Sequence, residues 1–443
     1  MKWQTITFPA IAAALLVGCG GGSDGGSLTG PEVGSDQCSI DGQKQFVLDS
    51  MRDVYFWNDL LPATVNLNDF ATPEALLASL TSVQPLDRFS FINSAAADSA
   101  FFGEGQFVGF GFSTRQVADN DIRFTRVFGA SPADLGGIRR GQRLLAVDGR
   151  TVEQIQAAEG LSEAFGPAEE GVVRVLRIND NGVERDVTLT KAVVTIDPVP
   201  QVRAFEVNNV SYGYIEFATF ISTANDQLDT AFSNFRTNNI TSLIIDMRYN
   251  GGGLVSVAER LGDLLGGDIA ESEIFSETLF NQNNSASNNI RRFARLAQSI
   301  NLTEVVVLTS GSTASASELV INGLEPVTSV RLVGADTFGK PVGQVGITFC
   351  EKILRPTAFE TVNSLGEGGF FDGLPVDCEA DDDLNFVVGA EDEPMVAAAL
   401  TLLSTGSCPP PTTLVQQKQG VATRADWRVD TPRNAAEEHA YAF

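Results

Sequence analysis

Histidine is almost missing: the 443-residue chain has one, His439, close to its C-terminus. A Ser-His-Asp triad, a His-rich zinc site or a haem held by histidine would each need that residue, so most histidine-based enzymology is excluded. Positive charge is scarce as well, with 30 Lys plus Arg against 56 Asp plus Glu and a formal charge of −26. Phosphate backbones repel such a chain, which argues against nucleic-acid partners. Anionic membrane surfaces repel it too, unless something other than charge holds it there. The five cysteines never fall in a CxxC spacing, so neither a zinc ribbon nor a thioredoxin-like redox site is supported. What is present is apolar material: 43% of residues are hydrophobic and 8% aromatic. That supports a sizeable core and excludes wholesale disorder. At roughly 150 residues per domain, the length suggests two to four domains.

Residues 6–18 (ITFPAIAAALLVG) form a thirteen-residue run after Lys2, interrupted by Pro9 and too short to span a bilayer as a helix. The run fits the apolar region of a secretory signal. It ends in Leu16-Val17-Gly18-Cys19 and resembles a bacterial lipoprotein signal, cleaved before Cys19, which then carries lipid. Residues 19–37 (CGGGSDGGSLTGPEVGSDQ) read as a flexible linker that lifts a folded body off a membrane. Gly20 stands where an aspartate would signal inner-membrane retention, so the expectation is a bacterial cell-envelope protein on the outer membrane facing the periplasm. Cys38, Cys350, Cys378 and Cys408 remain for two disulfides in an oxidising compartment. Three connectivities are open; Cys350 with Cys378 and Cys38 with Cys408 is the preferred set.

Residues 44–61 carry Phe46, Val47, Met51, Val54, Tyr55, Trp57 and Leu61 in a helical pattern that Pro62 stops. Thr72-Pro73 reads as an N-cap and first-turn proline before a second helix. These define a helical N-terminal region, residues 38–104, read as a cover for another domain's core. From residue 105 the texture changes to short strands with glycine turns. Phe107 to Phe112 alternates glycine with aromatics, and Ser131-Pro132-Ala133, Gly141 and Asp148-Gly149 follow. Two strand patterns flank Asn181-Gly182, a strong hairpin signal. The ordered set resembles a PDZ domain over residues 105–195. That resemblance implies a loop, Gly109-Phe110-Gly111-Phe112, whose backbone binds a C-terminal carboxylate while the peptide adds as a strand.

Residues 196–408 alternate strands with helices, which predicts a mainly parallel sheet with loops for chemistry at the strand C-terminal ends. Thr241 to Arg248 is a buried strand leading to Asn250-Gly251-Gly252-Gly253, and an amphipathic helix from Leu254 to Leu265 follows. Residues 409–443 open with three prolines and lack sustained periodicity, so they are read as a disordered tail. The fold class is therefore α+β and multidomain.

Ser312-Thr313-Ala314-Ser315-Ala316-Ser317-Glu318 lies between a strand and a helix. Thr337-Phe338-Gly339-Lys340 follows the next strand, with Gln344 four residues after the lysine. With the DMRYNGGG turn, and downstream of the PDZ-like series, this resembles the C-terminal processing, or tail-specific, serine proteases over residues 40–405. The resemblance implies a crotonase-like α/β protease core, Ser315 as nucleophile, Lys340 as general base and Gln344 holding its amine. The oxyanion donors would be the N–H groups of Ala316 and Gly252. A lysine serves as a base only when largely buried. Pro341 stands where the family has glycine, and it directs Lys340 towards extended backbone.

Other readings exist for each residue alone. A serine at a strand-to-helix junction is usually a cap, a triple glycine a turn and a lysine a solvated charge. Glu318 reads as a partner of the helix dipole, and Asp246 and Arg248 as structural ligands of the turn. Their combination points to a Ser-Lys endopeptidase acting on proteins with exposed C-termini, tethered to membrane by lipid on Cys19, with no cofactor or metal implied. The competing readings are an inactive PDZ tail-binding adaptor and, less compatible with a secretion signal, acyl-CoA chemistry on a crotonase-type core.

Overall fold

A computed structural model describes residues 38–410 apart from Glu159. The signal segment, Cys19, the whole linker, the tail from residue 411 and His439 lie outside the described residues.

A six-stranded sheet organises the C-terminal half. Its order is Gln201–Val207, Val210–Glu216, Ser242–Asp246, Glu304–Thr309, Ser329–Gly334 and Cys378–Glu379. The first pair is antiparallel and the rest are parallel. Alternation along its strands feeds two cores. Val305 and Val307 face a cluster with helices Ala224–Thr237, Val255–Gly266 and Ala316–Leu324. Val306 and Leu308 face the opposite side, where helix Pro394–Thr405 packs. Each such side chain, fully buried, contributes about 1.5–3 kcal/mol. Both faces being covered explains the uninterrupted apolar runs.

Residues 106–195 form a separate β-rich body with its own core, including Phe110, Phe112, Phe124, Leu144 and Phe165. The Asn181-Gly182 dipeptide joins strands Val173–Asp180 and Val183–Thr190, both residues having positive φ, as a tight hairpin turn requires. The glycine-aromatic stretch is two strands, Gln106–Gly109 and Phe112–Ala118, broken where Gly111 takes φ 84°. A Cβ on Gly111 would lie 2.1 Å from the Ser131 Cβ, so the turn requires glycine.

The N-terminal helix ends earlier than periodicity predicts, spanning Ile40–Val54 rather than running to Pro62. Tyr55 leaves the helical region with ψ 131°, and the Phe56 N–H bonds the Thr357 carbonyl, so tertiary pairing ends the helix. This helix and Pro73–Thr81 pack on Ile347, Phe349 and Leu354 of a hairpin from the far end of the chain. That arrangement overturns the preferred disulfide pairing: the bonds are Cys38–Cys350 and Cys378–Cys408. Cys350 occupies the tip of the hairpin beneath the N-terminal helix, which brings it to Cys38. Cys378 lies on the edge strand, and helix Pro394–Thr405 returns the chain so that Cys408 meets it.

A buried ionic network joins the β-rich body to the core. The Asp382 carboxylate receives Arg115 (2.9 Å), Arg140 (2.5 Å) and Arg248 (3.0 Å), together with the Tyr249 hydroxyl. Arg248 also grips Asp246 (2.8 Å) and Glu393 (2.9 Å), and Arg126 of the β-rich body pairs with Glu216 of the core at 2.9 Å. Asp246 and Arg248 thus reach well beyond the turn they were expected to brace. Burial pushes the Asp382 pKa up, but Arg115, Arg140 and Arg248 outweigh it and hold the carboxyl well below the usual carboxylate range.

With its folded-state pKa depressed, Asp382 contributes stability that is present above its unfolded value of about 3.9 and lost as pH falls through the folded value. Asp382→Asn should therefore lose about 3–5 kcal/mol at pH 7, because three arginines are left short of a partner. Its stability should also fall less steeply than wild type below about pH 4. Denaturant melts at both pH values check this; a variant as stable as wild type at pH 7 would contradict it.

Candidate active site

Ser315 sits between strand Glu304–Thr309 and helix Ala316–Leu324 with φ 56° and ψ −114°. For a non-glycine residue this strained backbone costs about 1–3 kcal/mol and persists only where the surroundings enforce it. They do so from both sides. The Thr313 hydroxyl donates to the Met247 carbonyl (2.8 Å), and the Asn250 carbonyl accepts from the Ala314 N–H (3.1 Å) and the Ser317 hydroxyl (3.0 Å). The glycine turn is thereby sewn to the serine loop. Gly252, φ 101°, comes so close that a Cβ there would lie 2.8 Å from the Ser315 Cβ and 2.9 Å from the Ala316 nitrogen. Ser315 is left half-buried.

Glu318 is the residue whose part sequence reasoning missed. Its carboxylate is fully buried, and all four of its partners are donors. Oε1 accepts from the Thr337 hydroxyl (2.5 Å) and the Gly339 N–H (2.7 Å). Oε2 accepts from the Ser315 N–H (2.8 Å) and the Lys340 N–H (2.9 Å). One oxygen therefore ties the backbones of the serine and the lysine together. Burial raises the Glu318 pKa and the four donors act against that rise; accepting from four donors requires the ionised form. The Ser-x-x-Glu spacing of a capping box was the available signal. Nothing local announced that Lys340 would share the same oxygen.

Lys340 is 3% exposed, and its Nζ donates to Gln344 Oε1 at 3.1 Å. Gln344, on strand Val342–Gln344, donates through Nε2 to the Phe89 carbonyl. The burial that a basic lysine requires is thus present. The Ala316 N–H heads its helix, where the first N–H groups lack intrahelical partners and the dipole favours negative charge. The Gly252 N–H is turned to Asn250 Oδ1 at 2.9 Å, so that donor is occupied in this arrangement. Gly109, Phe110, Gly111 and Phe112 are not brought to this site; Phe110 and Phe112 are buried in the core of the β-rich body.

Residues 211–377 match the model of peptidase family S41, and residues 42–91 that of the peptidase S41 N-terminal domain. A carboxyl-terminal-processing protease of Synechocystis sp. is 26% identical over 221 residues, covering 50% of each chain. A chloroplastic C-terminal processing peptidase of Tetradesmus obliquus is 30% identical over 226 residues, covering 47% of this chain and 46% of its own. The chain thus matches about half the length of these curated relatives. Among solved structures, a Bacteroides fragilis protein assigned to the S41 proteases superposes with TM-score 0.67 at 23% identity, over 82% of this chain and 97% of its own. The photosystem II D1 C-terminal processing protease gives 0.52 at 19%, over 78% and 94%. These two likenesses establish a shared α+β multidomain fold.

A glutamine at position 318 would set its amide nitrogen against two donors in either orientation. Glu318→Gln should cost about 1–3 kcal/mol in denaturant melts, the price of buried donors left without acceptors after some relief from burying charge. Unchanged or increased stability would contradict the four-donor assignment.

Proposed function

Starting from peptidase family S41, which the family-model matches and curated relatives support for this chain, we propose that the protein is a serine endopeptidase acting through Ser315 and Lys340. The observation that carries this reading is the Glu318 oxygen shared by the Ser315 and Lys340 N–H groups, beside a buried lysine amine held by Gln344. In the reaction, the Lys340 amine takes the proton of the Ser315 hydroxyl as Oγ attacks the substrate carbonyl carbon. The resulting oxyanion is met by the Ala316 N–H, and by that of Gly252 once Asn250 Oδ1 releases it. Collapse breaks the C–N bond, and the leaving amine takes the proton from Lys340. Water then attacks the acyl-enzyme, giving one proton to Lys340, which returns it to Ser315 Oγ as the acid product departs.

Residues 105–195 act in this proposal as a PDZ domain that takes C-terminal tails along Gly109 to Phe112, and residues 196–408 as a crotonase-like protease core. Lipid on Cys19 tethers the chain in the bacterial cell envelope, on the periplasmic side of the outer membrane. The support for tail binding and tethering is the sequence pattern. A second reading, an inactive tail-binding adaptor, draws on one observation: the Gly252 N–H is engaged by Asn250.

Cleavage of unfolded casein by protein starting at residue 38 separates the two. Wild type should cleave, and Ser315→Ala and Lys340→Ala should each be slower by at least about 10³-fold. Equal cleavage by all three would remove the Ser-Lys assignment. Absence of cleavage by any, with tail peptides added, would favour the adaptor.

A further inference from the structure

One segment distant in sequence reaches the lysine. Gln344 Nε2 donates to the Phe89 carbonyl, and the Lys340 Nζ stands 5.3 Å from the centre of the Phe89 ring, itself 1% exposed. We propose that Phe89 is a positioning residue for the base: its carbonyl fixes the Gln344 amide and its ring roofs the Lys340 amine. The N-terminal region then completes the active site as well as covering the core. This rests on the Ser315–Lys340 reading.

A carbonyl can only accept a hydrogen bond, so the Phe89 carbonyl selects the amide nitrogen of Gln344 and leaves Oε1 facing the lysine. Oε1 in turn accepts one N–H of the amine, which turns the nitrogen lone pair away from Gln344 and frees it for the serine proton. A Gln344 amide that rotated would present N–H groups to the amine and compete for that lone pair. The ring adds a flat apolar wall that excludes water from the amine while its face tolerates the ammonium formed during the reaction.

The segment is built to hold this position. Asp87 Oδ1 accepts from the N–H groups of Phe89 (3.0 Å) and Ser90 (3.1 Å) and from the Thr357 hydroxyl (2.9 Å). The Thr357 N–H donates to the Ser90 hydroxyl at 2.9 Å. Thr357 is also the register partner of Gln344 in the neighbouring strand, so one residue anchors both ends of the Phe89–Gln344 contact. From the other side, the Arg88 guanidinium lies over the Phe338 ring at 4.5 Å, and Phe338 meets Phe89 edge-on at 6.2 Å.

Two substitutions in the full chain test this, read by labelling with a fluorophosphonate and by turnover of fluorescent casein, with Ser315→Ala as blank. Phe89→Leu keeps apolar volume and removes the ring face. Asp87→Ala frees the segment that carries the carbonyl. Both should label to the same final extent as wild type, with rate constants at least about tenfold lower. On casein, kcat should fall by the same factor while KM stays within about twofold. Wild-type rate constants in both variants would overturn the proposal. So would a reduced final extent at an unchanged rate constant, which is the mark of a purely structural segment. A wild type that behaves like Ser315→Ala in both assays would overturn the peptidase reading itself, and Phe89's role with it.

Discussion

A single buried carboxylate governs the geometry of the site. Glu318 arrives on the first turn of the helix that follows Ser315, and its two oxygens gather donors from that helix junction and from the 337–340 loop. Neither loop could hold its position alone. Ser315 has a backbone conformation that side chains disfavour, and Lys340 is a long amine held almost wholly out of solvent. A carboxylate with two acceptor sites on each oxygen is the one side chain that satisfies four converging donors, and its burial strengthens each of those bonds. The energetic cost of burying that charge fixes the register between nucleophile and base.

A second constraint acts between bodies. An acidic chain has few cations to spend, and here three arginines of the β-rich body turn inward, to Asp382 and Glu216. Arg248 then links Asp382 to Asp246 at the end of the strand that leads into the glycine turn. The attachment of the β-rich body and the seating of that turn therefore share charges. A surface pair would be screened and weak, whereas this buried network loses heavily if any partner is removed.

The sequence made some of this legible and hid the rest for physical reasons. Elements with strong local signals were readable: the Asn181-Gly182 hairpin, the apolar strand before Asn250, and the helix after Ser315. The pairing of Lys340 with Gln344 was expected from the family resemblance. Long-range facts were not. The disulfides follow from a hairpin tip docking under a helix about 300 residues earlier, which no spacing encodes. The first helix stops at Val54 because Phe56 pairs with Thr357, although the apolar pattern runs on. Glu318 was legible only as a partner of the helix dipole, and its hold on Lys340 depends on a loop 22 residues away. Phe89 carried no signal, because its contact with Gln344 spans 255 residues and uses a backbone carbonyl.

The most direct measurement is to locate the nucleophile chemically. Wild-type protein and Lys340→Met are treated with a fluorophosphonate at neutral pH, digested, and the adduct mapped by mass spectrometry. One adduct on Ser315 in wild type, absent from the lysine variant over the same interval, is the expected result. An adduct on another serine, or equal modification of Ser315 without the lysine, would contradict the Ser315–Lys340 assignment.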